Sequence, residues 1–298
     1  MDNLLLLIIC FAAGWFLRHI EKLPAATPTV LNSFIIHISL PAAVMLHIHE
    51  LHISHHVFFM AAMPWLHFGL SVLFFFILSK VLNLPGKTAG ALVLTGGLGN
   101  TSFVGLPMIE AFFGKEGIAS GIVVDQLGSF LVLSTLGITV AGIYAGGNSS
   151  AGHIVKKIVF FPPFIALVLA ALLIPVSYPP FFSGVLHRLA DTLAPLALFS
   201  VGYQLNPVHV QGNSRNLLLG LGFKLILAPL LIWTLYMRIL GLDGLSIEVT
   251  VFEAAMPPMI MSGILATEHD LDPPLANLMV AVGVVVSFLT LPLWRMVL

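Results

Sequence analysis

The sequence predicts an all-α polytopic membrane protein with ten transmembrane helices, arranged as two inverted five-helix repeats. The first observation behind this prediction is the composition, because 58% of the 298 residues are hydrophobic and only 8% are charged, against about 25% charged in soluble domains. The second is a series of long apolar stretches, since a helix needs about 20 apolar residues to cross a bilayer. Ten spans fit the sequence: 3–19, 28–48, 57–79, 87–112, 117–145, 154–175, 181–204, 214–238, 245–267 and 273–296.

The third observation is the likeness of the two halves. Pro41 in span 2 and Pro195 in span 7 are 154 positions apart, and Asn100 in span 4 and Pro257 in span 9 are 157 apart. A repeat that contains an odd number of spans must be inverted relative to its partner, which is typical of secondary transporters.

The junction between the repeats is predicted at the Gly- and Ser-rich stretch Gly146-Gly-Asn-Ser-Ser150. It separates a first repeat, residues 1–150, from a second, residues 151–298. Small-residue ridges such as Gly117-x-x-x-Gly121 favour close helix packing, with a homodimer as the alternative use.

The net charge and the cysteine content exclude two common features of proteins. A net charge of −1 argues against a nucleic-acid partner, and the single Cys10 excludes an intramolecular disulfide. The apolar stretch Leu4–Leu17 follows Asp2 rather than a basic segment, so we interpret it as the first span and not as a signal peptide.

Span 4 contains a stretch that an ordinary lipid-facing helix would not carry. Gly96–Pro107 holds four glycines, a proline and three adjacent polar residues. Glycine and proline weaken the helical hydrogen-bond ladder, and broken backbone at membrane depth persists only where it is buried in protein or lines a wet cavity. The stretch therefore predicts a solute site; a helix kink satisfied by neighbouring helices is the alternative.

A half-helix that begins at Thr101 would present free N–H groups and a partial positive charge, which suit a carboxylate. The predicted substrate-binding residues are the polar and backbone-breaking residues of spans 4 and 9: Asn100, Thr101, Ser102, Gly105, Pro107, Pro257 and Pro258.

Span 9 repeats the break at Met256-Pro257-Pro258, which lacks two consecutive N–H donors and frees carbonyl groups one turn earlier. Glu253 lies one turn before it, where an ionised carboxylate is costly without a partner. Three interpretations remain open for Glu253: a sodium ligand, a proton carrier, or a structural partner of a hydroxyl group or of Lys224.

Asp125-Gln126 in span 5 can complete the cation site or carry a proton, or Asp125 can lie solvated near the membrane surface. The predicted residues for a coupling ion, sodium or a proton, are Glu253, Met256, Asp125, Gln126 and Asn100.

Two other ionisable residues lie within spans, Lys224 and Asp191, and an ionisable residue at membrane depth is functional by default. The alternative for Lys224 is that it extends its ammonium group toward the start of span 8. Asp191 is expected to form an ion pair with His187 or Arg188, one turn away.

No enzyme is predicted, because no nucleophile–base pair or metal-ligand set lies at a common depth. A histidine cluster follows span 2: His47, His49, His52, His55 and His56. We interpret it as a weakly basic interfacial loop, with a metal on His52 and His56 as the alternative. No cofactor is expected, and sodium is a candidate coupling ion.

The segment Asn100-Thr-Ser-Phe-Val-Gly-Leu-Pro107 resembles the N-T-x-F-x-G-x-P signature of the auxin efflux carrier family, whose bacterial members include proteins described as malonate and malate permeases. The resemblance covers essentially the whole chain and continues in Pro162-Pro163, Leu193–Leu198, Ala255-Met-Pro257 and Thr290-Leu-Pro292. The long central loop of the plant carriers is absent, and a short linker near Asn148 stands in its place.

The resemblance implies a fold similar to that of the bile acid:sodium symporters. Spans 1, 2, 6 and 7 would form a scaffold domain and spans 3–5 and 8–10 a core domain, in which broken helices 4 and 9 cross. In those symporters a glutamate three residues before a methionine binds sodium, and Glu253 and Met256 keep that spacing. Pro257 departs from the pattern, because those symporters have a polar residue there.

Lysine and arginine number seven on one side and three on the other if the N-terminus is outside, which predicts both termini outside the bacterial inner membrane. The predicted function is transport of a small organic anion of the carboxylate class by alternating access at the crossing of spans 4 and 9. The alternative is a sodium-coupled symporter of a bulkier amphipathic acid.

Overall fold

A computed structural model describes residues 2–49, 56–146, 158–205 and 214–298, with the side chains of residues 2–4 left out. Apart from one isolated β-bridge, the regular secondary structure of these residues is helical. The helices are α1 (Asp2–His19), α2 (Thr27–His49), α3 (His56–Leu82), α4 (Gly86–Gly97), α5 (Thr101–Phe113), α6 (Lys115–Ala145), α7 (Pro162–Leu172), α8 (Pro180–Ala190), α9 (Leu193–Gln204), α10 (Ser214–Ile239), α11 (Leu245–Ala254), α12 (Ile260–Glu268) and α13 (Pro273–Val297).

Five of the described helices, α2, α3, α6, α10 and α13, are long and apolar enough to cross a membrane. The prediction of a helical, multi-pass membrane protein is thus confirmed. The count of ten spans, the inverted repeat and its two halves, and the orientation of the termini stay predictions.

Contacts divide the chain into two compact units. Unit 1 comprises the described residues of Met1–Ser54, Ser102–Ile122 and Lys156–Asn206, and unit 2 those of His55–Thr101, Val123–Val155 and Pro207–Leu298. The chain leaves unit 2 after Thr101 and returns to it at Val123.

In unit 1, helices α1 and α9 approach until backbone touches backbone. A Cβ atom added to Gly14 would collide with the carbonyl oxygen of Phe199, and one added to Gly202 would collide with that of Phe11. Glycine is therefore required at both positions, and the pair resembles the small-residue contacts that hold membrane helices together without polar groups.

In unit 2, glycines at the end of α4 bring that helix against α3. A Cβ atom on Gly96 would lie 2.6 Å from the ring of Phe75, and one on Gly97 would lie 2.7 Å from the ring of Phe68. Both rings belong to the buried apolar cluster of this unit. This packing holds the end of α4 in place directly before the helix break.

Candidate functional site

Two helices of unit 2 end where the sequence places glycine and proline. Helix α4 ends at Gly97, and Leu98 is extended, with φ −110° and ψ 118°. Helix α11 ends at Ala254, and the chain is extended again at Met259, with φ −65° and ψ 134°, before α12 begins. The breaks expected in spans 4 and 9 are therefore present.

The two breaks cross and bind each other through backbone atoms. The Asn100 N–H donates to the Pro257 carbonyl over 2.8 Å, and the Met259 N–H donates to the Leu98 carbonyl over 2.9 Å. Between these bonds, Gly99 and Pro258 form an antiparallel bridge. Each break thus supplies hydrogen-bond partners for backbone N–H and C=O groups that are left free in the other break. The interior of a bilayer holds no water that could bond these groups.

Lys224 lies at this crossing and is fully buried. Its Nζ atom donates to the Ala254 carbonyl over 3.0 Å and lies 3.4 Å from Nε2 of His67. The interpretation that Lys224 extends to the start of its helix is wrong. It follows Ser214 by ten residues, or about 15 Å of helix, which is beyond the reach of its side chain.

His67 also lies beside Lys224 at the crossing, although it is not among the site residues predicted from the sequence. Its Nε2 atom also lies 3.2 Å from the Gly96 carbonyl, at the end of α4, and the side chain is only 2% exposed. A signal was available, because His67 is the only histidine in the apolar stretch 57–79 and lies close to Pro64.

Glu253 is 1% exposed, and neither of its carboxylate oxygens has a hydrogen-bond partner among the described residues. The charge of Lys224 attracts this carboxylate and that of Asp125 repels it. Of the structural partners considered for Glu253, a hydroxyl group is therefore not found in the described chain, whereas Lys224 acts through space.

Asp125 is also buried, at 2% exposure, so the interpretation of a solvated surface carboxylate is wrong. It accepts hydrogen bonds from Oγ1 of Thr101 over 2.5 Å and from Nε2 of Gln126 over 2.6 Å. Asp125 and Gln126 lie in a π-helical turn, Val124–Ser129, and Lys224 lies in another, Phe223–Leu227. Such turns are frequent at functional sites.

A cavity of about 10 Å³ opens among these groups, lined by His67, Gly99, Thr101, Lys224 and Glu253 with their neighbours. One water molecule needs about 10–15 Å³ measured in this way. The cavity therefore has room for about one water molecule in this structure.

Three of the predicted substrate residues, Ser102, Gly105 and Pro107, belong to unit 1. Pro107 lines a separate cavity of about 20 Å³ there, together with His47 and Glu110. Of the remaining predicted site residues, Asn100, Met256, Pro257 and Pro258 are buried in unit 2, at or directly beside the crossing.

Asp191 pairs with Lys115, whose Nζ lies 3.1 Å from Oδ1, rather than with His187 or Arg188. In the histidine cluster, His52 and His55 lie outside the described residues. Within the described ranges no group of three His, Cys, Asp or Glu side chains is placed to hold a metal, and the metal alternative at His52 and His56 remains untested.

Comparisons with known proteins assign nearly the whole chain to one protein family. Residues 1–295 match the family described as membrane transport protein. An uncharacterized transporter of Methanothermobacter thermautotrophicus is 33% identical over 214 residues, covering 72% of this chain and 69% of its own length. An uncharacterized transporter of Methanocaldococcus jannaschii is 28% identical over 311 residues, covering 100% of this chain and 98% of its own. These matches bear out the prediction of a transporter rather than an enzyme, and the chain belongs to the membrane transport protein family, the auxin efflux carrier family that its span-4 motif indicates.

Proposed function

We propose that this protein is a secondary transporter that moves a small organic anion, a carboxylate, by alternating access at the crossing in unit 2. The observation that carries the proposal is the pair of helix breaks joined by backbone hydrogen bonds, with buried ionisable side chains around them. Discontinuous helices of this kind hold the substrate and ion sites of secondary transporters.

Two features support an anionic substrate. Helix α5 begins at Thr101, and a helix N-terminus carries partial positive charge that favours a carboxylate. The ammonium group of Lys224 lies close to Gly99 in the same break. In the proposal Asn100, Thr101, Pro257 and Pro258 contact the substrate at the crossing in unit 2. Ser102, Gly105 and Pro107, which belong to unit 1, are also kept as proposed substrate residues.

The buried charges support coupling to a cation. Asp125 and Glu253 supply two carboxylates against the single ammonium of Lys224, so one negative charge is left for a proton or a sodium ion to balance. Met256, Gln126 and Asn100 are proposed as neighbours of that ion, and Asp125 or Glu253 as its carboxylate.

Uptake into liposomes that contain the purified protein tests the proposal. The probes are labelled acetate, malonate and malate, each offered with an imposed proton gradient or sodium gradient. We expect saturable uptake of at least one carboxylate, together with counterflow, which a carrier shows and a channel does not. If none of the three carboxylates enters under any gradient, the proposal of a small carboxylate substrate fails.

Replacement of Asn100 localises the site. Asn100→Ala is expected to lower uptake at least about tenfold, an effect of a few lost polar contacts, while the protein still inserts and melts cooperatively. The matched control is Asn277→Ala, at an exposed asparagine of α13, which should transport normally. Normal uptake by Asn100→Ala would place the substrate site elsewhere.

A further inference from the structure

The ammonium group of Lys224 touches both of the chain segments that cross. It donates to the Ala254 carbonyl over 3.0 Å, at the end of α11. A Cβ atom added to Gly99 would lie 3.3 Å from Nζ, so the ammonium also lies against the backbone of the first break. One side chain from α10 thus contacts both breaks from inside unit 2.

The position that this ammonium occupies has the chemistry of a cation site. Ala254 is the last residue of α11, and a helix C-terminus carries partial negative charge. In secondary transporters, such half-helix ends and unwound carbonyl groups coordinate sodium ions or protons. Glu253 is the residue before Ala254, and when ionised its buried carboxylate would add a full negative charge to this region; among the described residues its oxygens accept no hydrogen bond.

Little space remains for a second cation beside Lys224. The adjoining cavity measures about 10 Å³, the size of one water molecule. The other ionisable groups that face this position are His67 of α3 and Asp125 of α6, and His67 lies 3.4 Å from the ammonium nitrogen. A free ion with several ligands would need the volume that the end of the lysine side chain now fills.

We propose that Lys224 is a built-in cation, which takes the place of a free monovalent ion at the end of α11 and makes the crossing independent of sodium. The inference rests on the proposed function and narrows it, because, of the two coupling cations proposed above, it rejects sodium and retains the proton. Its test nevertheless needs no substrate: failure to find a transported anion and failure of this inference are separate results.

The experiment measures the melting temperature of the purified protein in choline chloride while sodium, potassium or ammonium replaces choline at constant ionic strength. Lys224→Met, which keeps an unbranched side chain but removes the terminal ammonium group and its charge, is expected to melt several degrees lower in choline. Added sodium, potassium or ammonium should then raise its melting temperature saturably, because an ion that binds only the folded state stabilises it by mass action.

Three controls sharpen the result. The wild type should show no saturable, cation-specific rise, since its site is filled. Lys87→Met removes the lysine of an exposed pair with Asp270 and should gain no cation response. In the double variant Lys224→Met, Glu253→Gln the rise should be lost, because the carboxylate that attracts the added ion is gone.

Either of two results would overturn the proposal: a saturable sodium-specific rise in the wild type, or a folded Lys224→Met protein that responds to no cation. If Lys224→Met cannot be purified, the double variant decides. It removes both charges, so it should fold and melt higher than Glu253→Gln alone. Failure of the double variant to fold would also overturn the assignment.

Discussion

The two units each contain a lysine and a carboxylate that attract one another, in opposite surroundings. In unit 1, Lys115 and Asp191 form a direct pair with side chains 56% and 59% exposed. In unit 2, Lys224 is fully buried, Glu253 is 1% exposed, and they interact through space. Exposed pairs contribute about 0–1 kcal/mol, whereas loss of one partner of a buried pair costs about 3–5 kcal/mol. Unit 2 retains charges that a purely structural helix bundle would avoid, and such charges mark ion and solute paths.

The largest effect is expected when the buried carboxylate of Glu253 is replaced by an amide. Glu253→Gln leaves the buried ammonium of Lys224 without its counter-charge, so we expect a loss of about 3 kcal/mol in the free energy of unfolding and loss of carboxylate uptake. Asp191→Asn, the matched change in unit 1, should cost less than about 1 kcal/mol. Denaturant unfolding and liposome uptake measure both, and equal effects of the two changes would remove the contrast between the units.

A smaller effect tests whether unit 1 depends on close backbone contact instead of buried charge. Gly14→Ala would place a Cβ atom against the Phe199 carbonyl and 2.9 Å from the Tyr203 nitrogen, and overpacking of this kind costs about 1–3 kcal/mol. Gly184→Ala in α8 is the control, because nothing lies within 4 Å of its added Cβ. Alanine should stabilise that helix by about 0.5–1 kcal/mol. The melting temperatures of the two variants should therefore move in opposite directions, and a fall in both would contradict this account.

The smallest expected difference between matched variants concerns two threonines: Thr101 donates to a buried carboxylate, and Thr95 donates to a carbonyl of its own helix. Thr101→Val removes a donor to Asp125, and hydrogen bonds to charged groups contribute about 1.5–3 kcal/mol. Thr95→Val removes a bond from Oγ1 to the Ala91 carbonyl, 2.7 Å away and one turn earlier, and should cost about 0.5–1 kcal/mol. Both threonines are buried. Uptake should fall in Thr101→Val only, and similar uptake in the two variants would argue against a role for Asp125.

The helix breaks could be predicted from the sequence because their causes are local. Glycine and proline weaken a helix wherever they occur, so Gly96–Pro107 and Pro257-Pro258 indicate the breaks without knowledge of any neighbour. The partners of the charged residues could not be predicted in this way. Lys224 binds a carbonyl 30 positions away, and Lys115 pairs with Asp191 across 76 positions, so both depend on how the helices pack.

The side of the helix on which Asp125 and Lys224 lie could not be predicted from the sequence, for a second physical reason. Each lies in a π-helical turn, where the hydrogen bonds span one residue more than in an α-helix. The helical period changes there, and assigning residues to a face from a spacing of 3.6 fails beyond the turn. The sequence therefore predicts which ionisable residues lie within apolar spans, but not which neighbouring groups each of them contacts.

The bridge between the two breaks consists of main-chain atoms alone: an amide of Asn100, the carbonyls of Leu98 and Pro257, and an amide of Met259. Every amino acid supplies these carbonyls, and every amino acid except proline supplies these amides. The joint can therefore survive exchange of the side chains that surround it. On the proposed function, substitution of the surrounding side chains can therefore change substrate preference while the joint between the two breaks stays intact.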